Sequence, residues 1–297
     1  MTSLELDPKA VGATKTWRPQ LSGLSGVALV APLVLLLSVV FVLPLGKLAW
    51  IALSQPHFGL GHFRAFINNP ASVKALETTF RVSAIVTCLA LAIGGMLAWE
   101  LRTTKSRIKK WILWSSVLFP LWMGLVVRNF AFSILLAQNG AVNRVLMYLH
   151  LVHNPVSLLY TQKAVTIGIL YALLPFAVLP MYATFVNIDL TLVQAAESLG
   201  ASRARALAGV VLPLSATSVL ASGAIVFVLS AGFYITPLLL GGPTSPFLAT
   251  LISDDIFVLF NIPAAATIGV ILVGVALTIV VVAWRLVGFE RLQRGLA

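Results

Sequence analysis

Charged residues punctuate this chain at long intervals, and the gaps between them are its most regular feature. No Asp, Glu, Lys or Arg occurs in 19–46, 82–99, 111–127, 164–188, 206–253 or 256–284. A helix needs about 20 apolar residues to cross the hydrocarbon core of a bilayer, with roughly 17 as the lower limit. The gaps therefore predict six crossings, over 24–46, 79–101, 111–136, 163–186, 215–239 and 264–286. Backbone in lipid must satisfy its own hydrogen bonds, so these are read as helices. A transmembrane barrel does not fit, because the runs far exceed about ten residues and lack a two-residue alternation. Between the fourth and fifth crossings the pattern changes to a polar, alanine-rich stretch, LTLVQAAESLGASRARALAGVVLPL, from Leu190 to Leu214.

Composition agrees with an integral membrane protein. Hydrophobic residues make up 59% of the chain and charged residues 10%, whereas a soluble domain carries about a quarter charged. The net charge of +11 raises the question of nucleic acid, and its distribution answers it. With the N-terminus placed inside, the inner segments hold Lys9, Lys15, Arg18, Arg102, Lys105, Arg107, Lys109, Lys110, Arg203, Arg205, Arg285, Arg291 and Arg294. The longer outer segments hold only Lys47, Arg64, Lys74, Arg81, Arg128, Arg144 and Lys163. This bias follows the positive-inside rule and predicts that both termini are cytoplasmic. The run from Arg102 to Lys110 is then a topology signal rather than a nucleic-acid site. The expected organisation is a cytoplasmic lead (1–22), a six-helix transmembrane domain (23–290) with a loop over 190–213, and a cytoplasmic tail (291–297). Cys88, inside the second crossing, is expected to be a small buried apolar side chain. Trp50, Trp99, Trp111, Trp114, Trp122 and Trp284 lie mainly near span ends, as headgroup anchors do.

The 190–214 stretch has the chemistry of a capped elbow. Ala195, Ala196 and Ala201 favour helix and allow close approach of a partner surface. Gly200 stands where a glycine ends a helix in left-handed backbone. Ser202 can cap a second helix beginning Arg203-Ala204-Arg205. Pro213 marks the entry to the next crossing. Elsewhere, Gln138-Asn139-Gly140, Asn154-Pro155 and the 241–246 segment beginning Gly241-Gly242-Pro243 are turn or break signals. Phe58, Phe63 and Phe66 in the 54–78 outer loop point to a helix lying at the interface.

Gln194-Ala195-Ala196, Gly200 after three intervening residues, and Val210-Val211-Leu212-Pro213 after nine more resemble the cytoplasmic E-A-A-x3-G-x9-I-x-L-P loop of ABC importer permeases. The leading Glu is Gln194 here, which keeps length and hydrogen bonding but not charge; the Ile is Val210. Further segments are similar to permeases of the spermidine/putrescine type: Phe119-Pro120-Leu121-Trp122, the run 127–132 (VRNFAF), the run 169–176 (ILYALLPF) and the run 233–243 (FYITPLLLGGP). The resemblance covers about residues 40–290. It implies an all-α integral membrane fold with the type I ABC importer permease (MetI-like) architecture. It also implies a second permease subunit, two ATPase subunits that hold ATP and Mg, and a periplasmic or extracellular solute-binding protein. The cargo it implies is a small polar solute, a polyamine first, with opine, phosphonate or amino-acid-like solutes as alternatives. Residues implied in ATPase coupling are Gln194, Ala195, Ala196, Glu197, Gly200, Ala201, Ser202 and Arg203. Those on the pathway-lining spans are Tyr171, Pro175, Tyr182, Phe233, Tyr234 and Thr236, whose rings and hydroxyls suit amine cargo; helix packing explains the aromatic ones equally well.

Three charged groups stand out. Arg128 lies in an apolar run, where a central arginine costs about 2.5–3.5 kcal/mol. It is read either as pairing with a carboxylate or lining the outer vestibule, or as an interfacial anchor. Asp254 and Asp255 are the only acidic residues in 241–289; they would attract a cation at the outer mouth, or be a solvated loop pair. Glu100 is expected to pair with Arg102. His57, His62, His150 and His153 have no metal-ligand spacing. The chain has no G-x-x-x-x-G-K-[ST] loop and no hydrolase motif, so it is read as a transport subunit without cofactor or catalytic residues, driven by a partner. An ion-coupled secondary transporter would require intramembrane carboxylates, and none occurs in 111–188.

Overall fold

A computed structural model describes residues 31–54, 58–242 and 245–295, with side chains to Arg285. The lead 1–22 lies outside the described residues. Contacts divide the chain into two units, Met1–Lys47 and Leu48–Ala297. In the first, helix α1 (Ala31–Ser54, continuing past the division) carries exposed side chains from Ala31 to Lys47. A π-helical turn over Ser38–Val42 precedes Pro44. Proline offers no N–H to the carbonyl four residues back, and a wider turn is one way a helix absorbs that loss.

The second unit contains α2 (Gly61–Asn68), α3 (Pro70–Thr103), α4 (Arg107–Trp122), α5 (Leu125–Leu136), α6 (Ala141–Tyr148) and α7 (Gln162–Val186). It continues with α8 (Leu190–Ser198), α9 (Arg203–Leu214), α10 (Ala216–Ala231), α11 (Ile235–Leu240), α12 (Leu248–Phe257) and α13 (Ile262–Gly295). Among the described residues, five stretches are long and apolar enough to cross a membrane: Ala31–Ser54, Pro70–Thr103, Leu125–Tyr148, Gln162–Val186 and Ile262–Arg285. The pair α9–α10, bent by 80°, brings the number to six if it is counted as one span.

Two of the expected helical crossings are interrupted. Over 111–136 the helix is interrupted at Met123, in extended backbone, and Gly124, and the stretch long enough to span lies later than expected, at Leu125–Tyr148. Over 215–239 it stops at Ala231 and restarts at Ile235. Hydrophobicity cannot show such breaks, because a broken span and a straight one have the same composition. The expected tail is also partly helical, since α13 runs to Gly295.

The core is a three-helix packing of α3, α7 and α10. On α3 the buried positions Val82, Val86, Ala90, Gly94, Ala98 and Leu101 recur at helical spacing. The small residues Ala90, Gly94 and Ala98 let α7 approach closely, which is how membrane helices gain contact when lipid offers no hydrophobic drive. A Cβ on Gly94 would lie 3.1 Å from Ala177 Cβ and 3.2 Å from Met181 Cε; on Gly95 the nearest atom is Met181 Sδ at 3.9 Å. Gly94→Val is therefore expected to destabilise by about 1–3 kcal/mol, read as a lower melting temperature in detergent, whereas Gly95→Val melts like the wild type. Equal behaviour of the two variants would refute this packing.

A smaller core of Phe66, Ala75, Leu248 and Ile268 joins α2, α3, α12 and α13. The Leu248 N–H donates to Thr79 Oγ1 at 2.9 Å, so α12 is hydrogen-bonded to α3. Phe66 thus faces protein, while Phe58 is exposed and makes an edge contact with Trp50. Cys88, expected to be buried, is exposed. It shares the outer face of α3 with Ile85, Leu89 and Met96, a face whose apolar character reflects membrane surroundings rather than the core. Glu100 pairs with Lys109 of α4, not with Arg102; Arg102 Nε donates instead to the Phe185 carbonyl at 3.3 Å. Trp50, Trp111, Trp122 and Trp284 are exposed as anchors are, whereas Trp99 and Trp114 pack against the core.

Candidate functional site

The polar stretch between α7 and α10 folds as two short helices around a tight turn. Asp189 opens α8, its carboxylate accepting the Thr191 N–H at 2.9 Å. That bond holds the Asp189 carboxyl below the ordinary carboxylate range. The cap is present above the ordinary aspartate range and is lost as pH falls through the lowered value. Helix α8 ends in a Schellman motif. The Gly200 N–H donates to the Glu197 carbonyl at 3.0 Å and the Ala201 N–H to the Ala196 carbonyl at 3.1 Å, with Gly200 at φ +88°. Ser202 Oγ then accepts the Arg205 N–H at 3.4 Å and caps α9. A π-turn over Leu207–Val211 leads to Pro213 and the 80° bend, where buried Ser215 donates its hydroxyl to the Val211 carbonyl at 2.7 Å.

The elbow is two-faced. Val193, Ala196, Ala201 and Ala206 pack against the core. Gln194, Ala195, Glu197, Gly200, Ser202 and Arg203 are exposed. At its tip Leu199 is 90% exposed, an apolar side chain held out by a capped turn. Asp189 and Leu199 were not singled out by sequence. An N-cap rule applied before Leu190 would have found the first; the second needs the turn's geometry.

Inside the membrane domain, polar groups gather where the third crossing breaks. Ending α4 at Trp122 leaves its last carbonyls without intrahelical partners. Arg128, one turn into α5, reaches back and donates through Nη1 to the Pro120 carbonyl at 3.4 Å. It is 5% exposed and no carboxylate pairs with it among the described residues. Among the described residues Arg128 thus has no ion pair, and it is buried rather than exposed as an interfacial anchor would be: the break turns it into protein. Its Nε and Nη2 have no hydrogen-bond partner among the described residues, nor does Asn129 Oδ1 or Thr236 Oγ1. Asn129 and Thr236 meet at Gly168 of α7, where an added Cβ would lie 2.8 Å from Thr236 Cγ2 and 3.9 Å from Asn129 Oδ1. Tyr171, one turn along α7, donates to Met123 Sδ at 3.9 Å and sets its ring 5.3 Å from Phe132.

Arg128, Tyr171 and Thr236 thus share one region, and Asn129 and Gly168 join them unanticipated. The other pathway candidates lie apart. Tyr182 sets its ring edge-on against Trp114 at 5.0 Å. Pro175 is buried within unbroken α7. Phe233 sits in the α10–α11 break, and Tyr234 bonds Ser253 of α12 through its hydroxyl at 2.9 Å. Asp254 and Asp255 belong to the last turns of α12 rather than to a loop. Helix C-termini already carry partial negative charge, so the pair concentrates negative potential there. Burial, then the neighbouring Asp254 carboxylate, pushes the Asp255 carboxyl above its ordinary range.

Residues 90–288, which contain the elbow and the broken crossings, match the family model of the binding-protein-dependent transport system inner membrane component. The chain belongs to that family. It is a multi-pass permease subunit of the bacterial inner membrane. It is 26% identical over 217 residues to the spermidine/putrescine transport system permease protein PotB of Escherichia coli (strain K12), covering 73% of this chain and 78% of that one. It is 29% identical over 223 residues to the inner membrane ABC transporter permease protein YdcU of the same organism, covering 71% and 70%. Its fold is similar to a chain of a bacterial ABC transporter involved in the import of the acidic polysaccharide alginate, with a TM-score of 0.72, 20% identity, and 88% and 93% of the two chains covered.

Proposed function

We propose that this chain is the transmembrane subunit of an ATP-driven, binding-protein-dependent importer, with both termini in the cytoplasm. The observation that carries this reading is the exposed, doubly capped elbow: its Gln194-Ala195-Ala196 and Gly200 have the spacing of an ATPase-coupling loop, and its tip offers an apolar anchor. Partner ATPases hold ATP and Mg, a second permease completes the pathway, and a solute-binding protein delivers cargo from outside. ATP-driven closure of the motor displaces α8 and α9. Because α9 joins α10 through the Ser215 bend, the displacement reaches the crossing that carries Thr236 at its far end. Nucleotide then need only bias a two-state element.

The cargo proposed first is a polyamine, as in the similar permease PotB. Adjacent Asp254 and Asp255 at the end of α12 suit a polycation. A second reading follows from Arg128, a buried guanidinium with free donors, which suits a solute bearing a carboxylate or phosphonate. Uptake into proteoliposomes holding the permeases and ATPases tests both. Labelled spermidine is expected to accumulate only with ATP and the binding protein. Accumulation without the ATPase would overturn the coupling mechanism, and exclusion of spermidine in favour of an anionic solute would select the second cargo.

A further inference from the structure

The turn between α3 and α4 and the helix ends on either side of it carry five cations, Arg102, Lys105, Arg107, Lys109 and Lys110, and the fold sorts them. Arg102 is bonded to the Phe185 carbonyl and Lys109 is paired with Glu100. Arg107 and Lys110 are exposed and have no ion pair among the described residues. These two line a groove of about 440 Å³ together with Trp111, Trp114 and Leu118. Spacings of three, four, seven and eleven residues from Arg107 place all five on one face of α4.

The order along that face follows depth in a membrane. The cations come first, then the two indoles, then an aliphatic side chain ~16 Å from Arg107 at 1.5 Å per residue. That sequence is headgroup, interface and acyl chain. Trp114 is held by its edge contact with Tyr182 at 5.0 Å, so one wall of the groove is fixed before anything binds. We propose that this groove binds an anionic phospholipid, its phosphate between Arg107 and Lys110 and the start of one acyl chain against Trp111, Trp114 and Leu118. A soluble phosphate would engage the cations but leave the apolar half of the groove uncovered.

Native mass spectrometry of the purified full chain, titrated with phosphatidylglycerol and with phosphatidylcholine of the same chains, tests this. One phosphatidylglycerol is expected to bind preferentially, roughly fivefold more weakly for each of Arg107→Gln and Lys110→Gln, since each basic residue near a membrane surface contributes a modest increment. Trp111→Ala also weakens binding. Lys105→Gln, outside the groove, leaves it unchanged, and glycerol phosphate does not displace the lipid. All these side chains are exposed, so melting temperatures of the variants match the wild type. Three results would each overturn the assignment: wild-type binding by the Arg107→Gln/Lys110→Gln double variant, an equal loss in Lys105→Gln, or displacement by glycerol phosphate.

Discussion

Leu199→Asp is expected to release the ATPase from the permease while leaving the permease inserted and folded. Leu199 is 90% exposed at the tip of the elbow, so the substitution removes no contact within this chain. On docking, a fully buried leucine contributes about 1.5–3 kcal/mol, and an aspartate in the same place adds the cost of burying a charge. A loss of roughly 100-fold in ATPase affinity follows. It is read as failure to co-purify and loss of ATP-dependent uptake at unchanged melting temperature. Leu199→Met should behave as wild type and Ala195→Asp should follow Leu199→Asp. Substitutions at Ala196 or Gly200 are poorer tests. Ala196 packs against the core, and at Gly200, with φ +88°, any L-residue carries about 1–2 kcal/mol of backbone strain. A loss of coupling there mixes folding with docking. Normal co-purification of Leu199→Asp would remove the tip from the interface.

Arg128→Met is expected to separate stability from transport in the opposite sense. Burying an ion costs several kcal/mol, so replacing a buried charge that lacks a full set of partners with an apolar side chain of similar volume is expected to be neutral or stabilising. The melting temperature should hold or rise, even though the bond to the Pro120 carbonyl is lost. Transport should change by about tenfold or more, the worth of a hydrogen bond to a charged group. The sign identifies the cargo. Uptake of a polycation rises when a like charge leaves the pathway, and uptake of a carboxylate or phosphonate solute falls. Parallel loss of melting temperature and of all transport would make Arg128 a structural tie between α4 and α5 instead, and unchanged transport of both solute classes would take it out of the pathway.

These two sites differ in how far they could be read without coordinates. The elbow was legible because its structure is local: an alanine-rich segment, a glycine at the end of one helix and a serine before the next are set by propensity and by hydrogen bonds spanning three to five residues. The Schellman bonds of Gly200 and Ala201 and the cap at Ser202 are where those residues suggested. The region around Arg128 was not legible. Hydropathy sums over a window and is blind to order within it, so the non-helical backbone at Met123 and Gly124 leaves no mark. That break aims Arg128 at Pro120 rather than at the interface. The pairing of Glu100 with Lys109 instead of Arg102 has the same origin, since the reversal between α3 and α4 brings together groups nine residues apart.

That the chain crosses a membrane, roughly where it does so, and which segment forms a capped elbow can be read from residue order alone; charge spacing, length and local capping are enough for that. Which faces are buried depends on how the helices pack. Ala90, Gly94 and Ala98 have meaning only once α7 lies against them, Cys88 is exposed only because α3 turns its other side to the core, and Thr236 meets Asn129 only across Gly168. In a chain apolar on nearly every face, hydrophobicity no longer distinguishes inside from outside, so close packing and the partners of a few polar atoms settle what amphipathic pattern would settle in water.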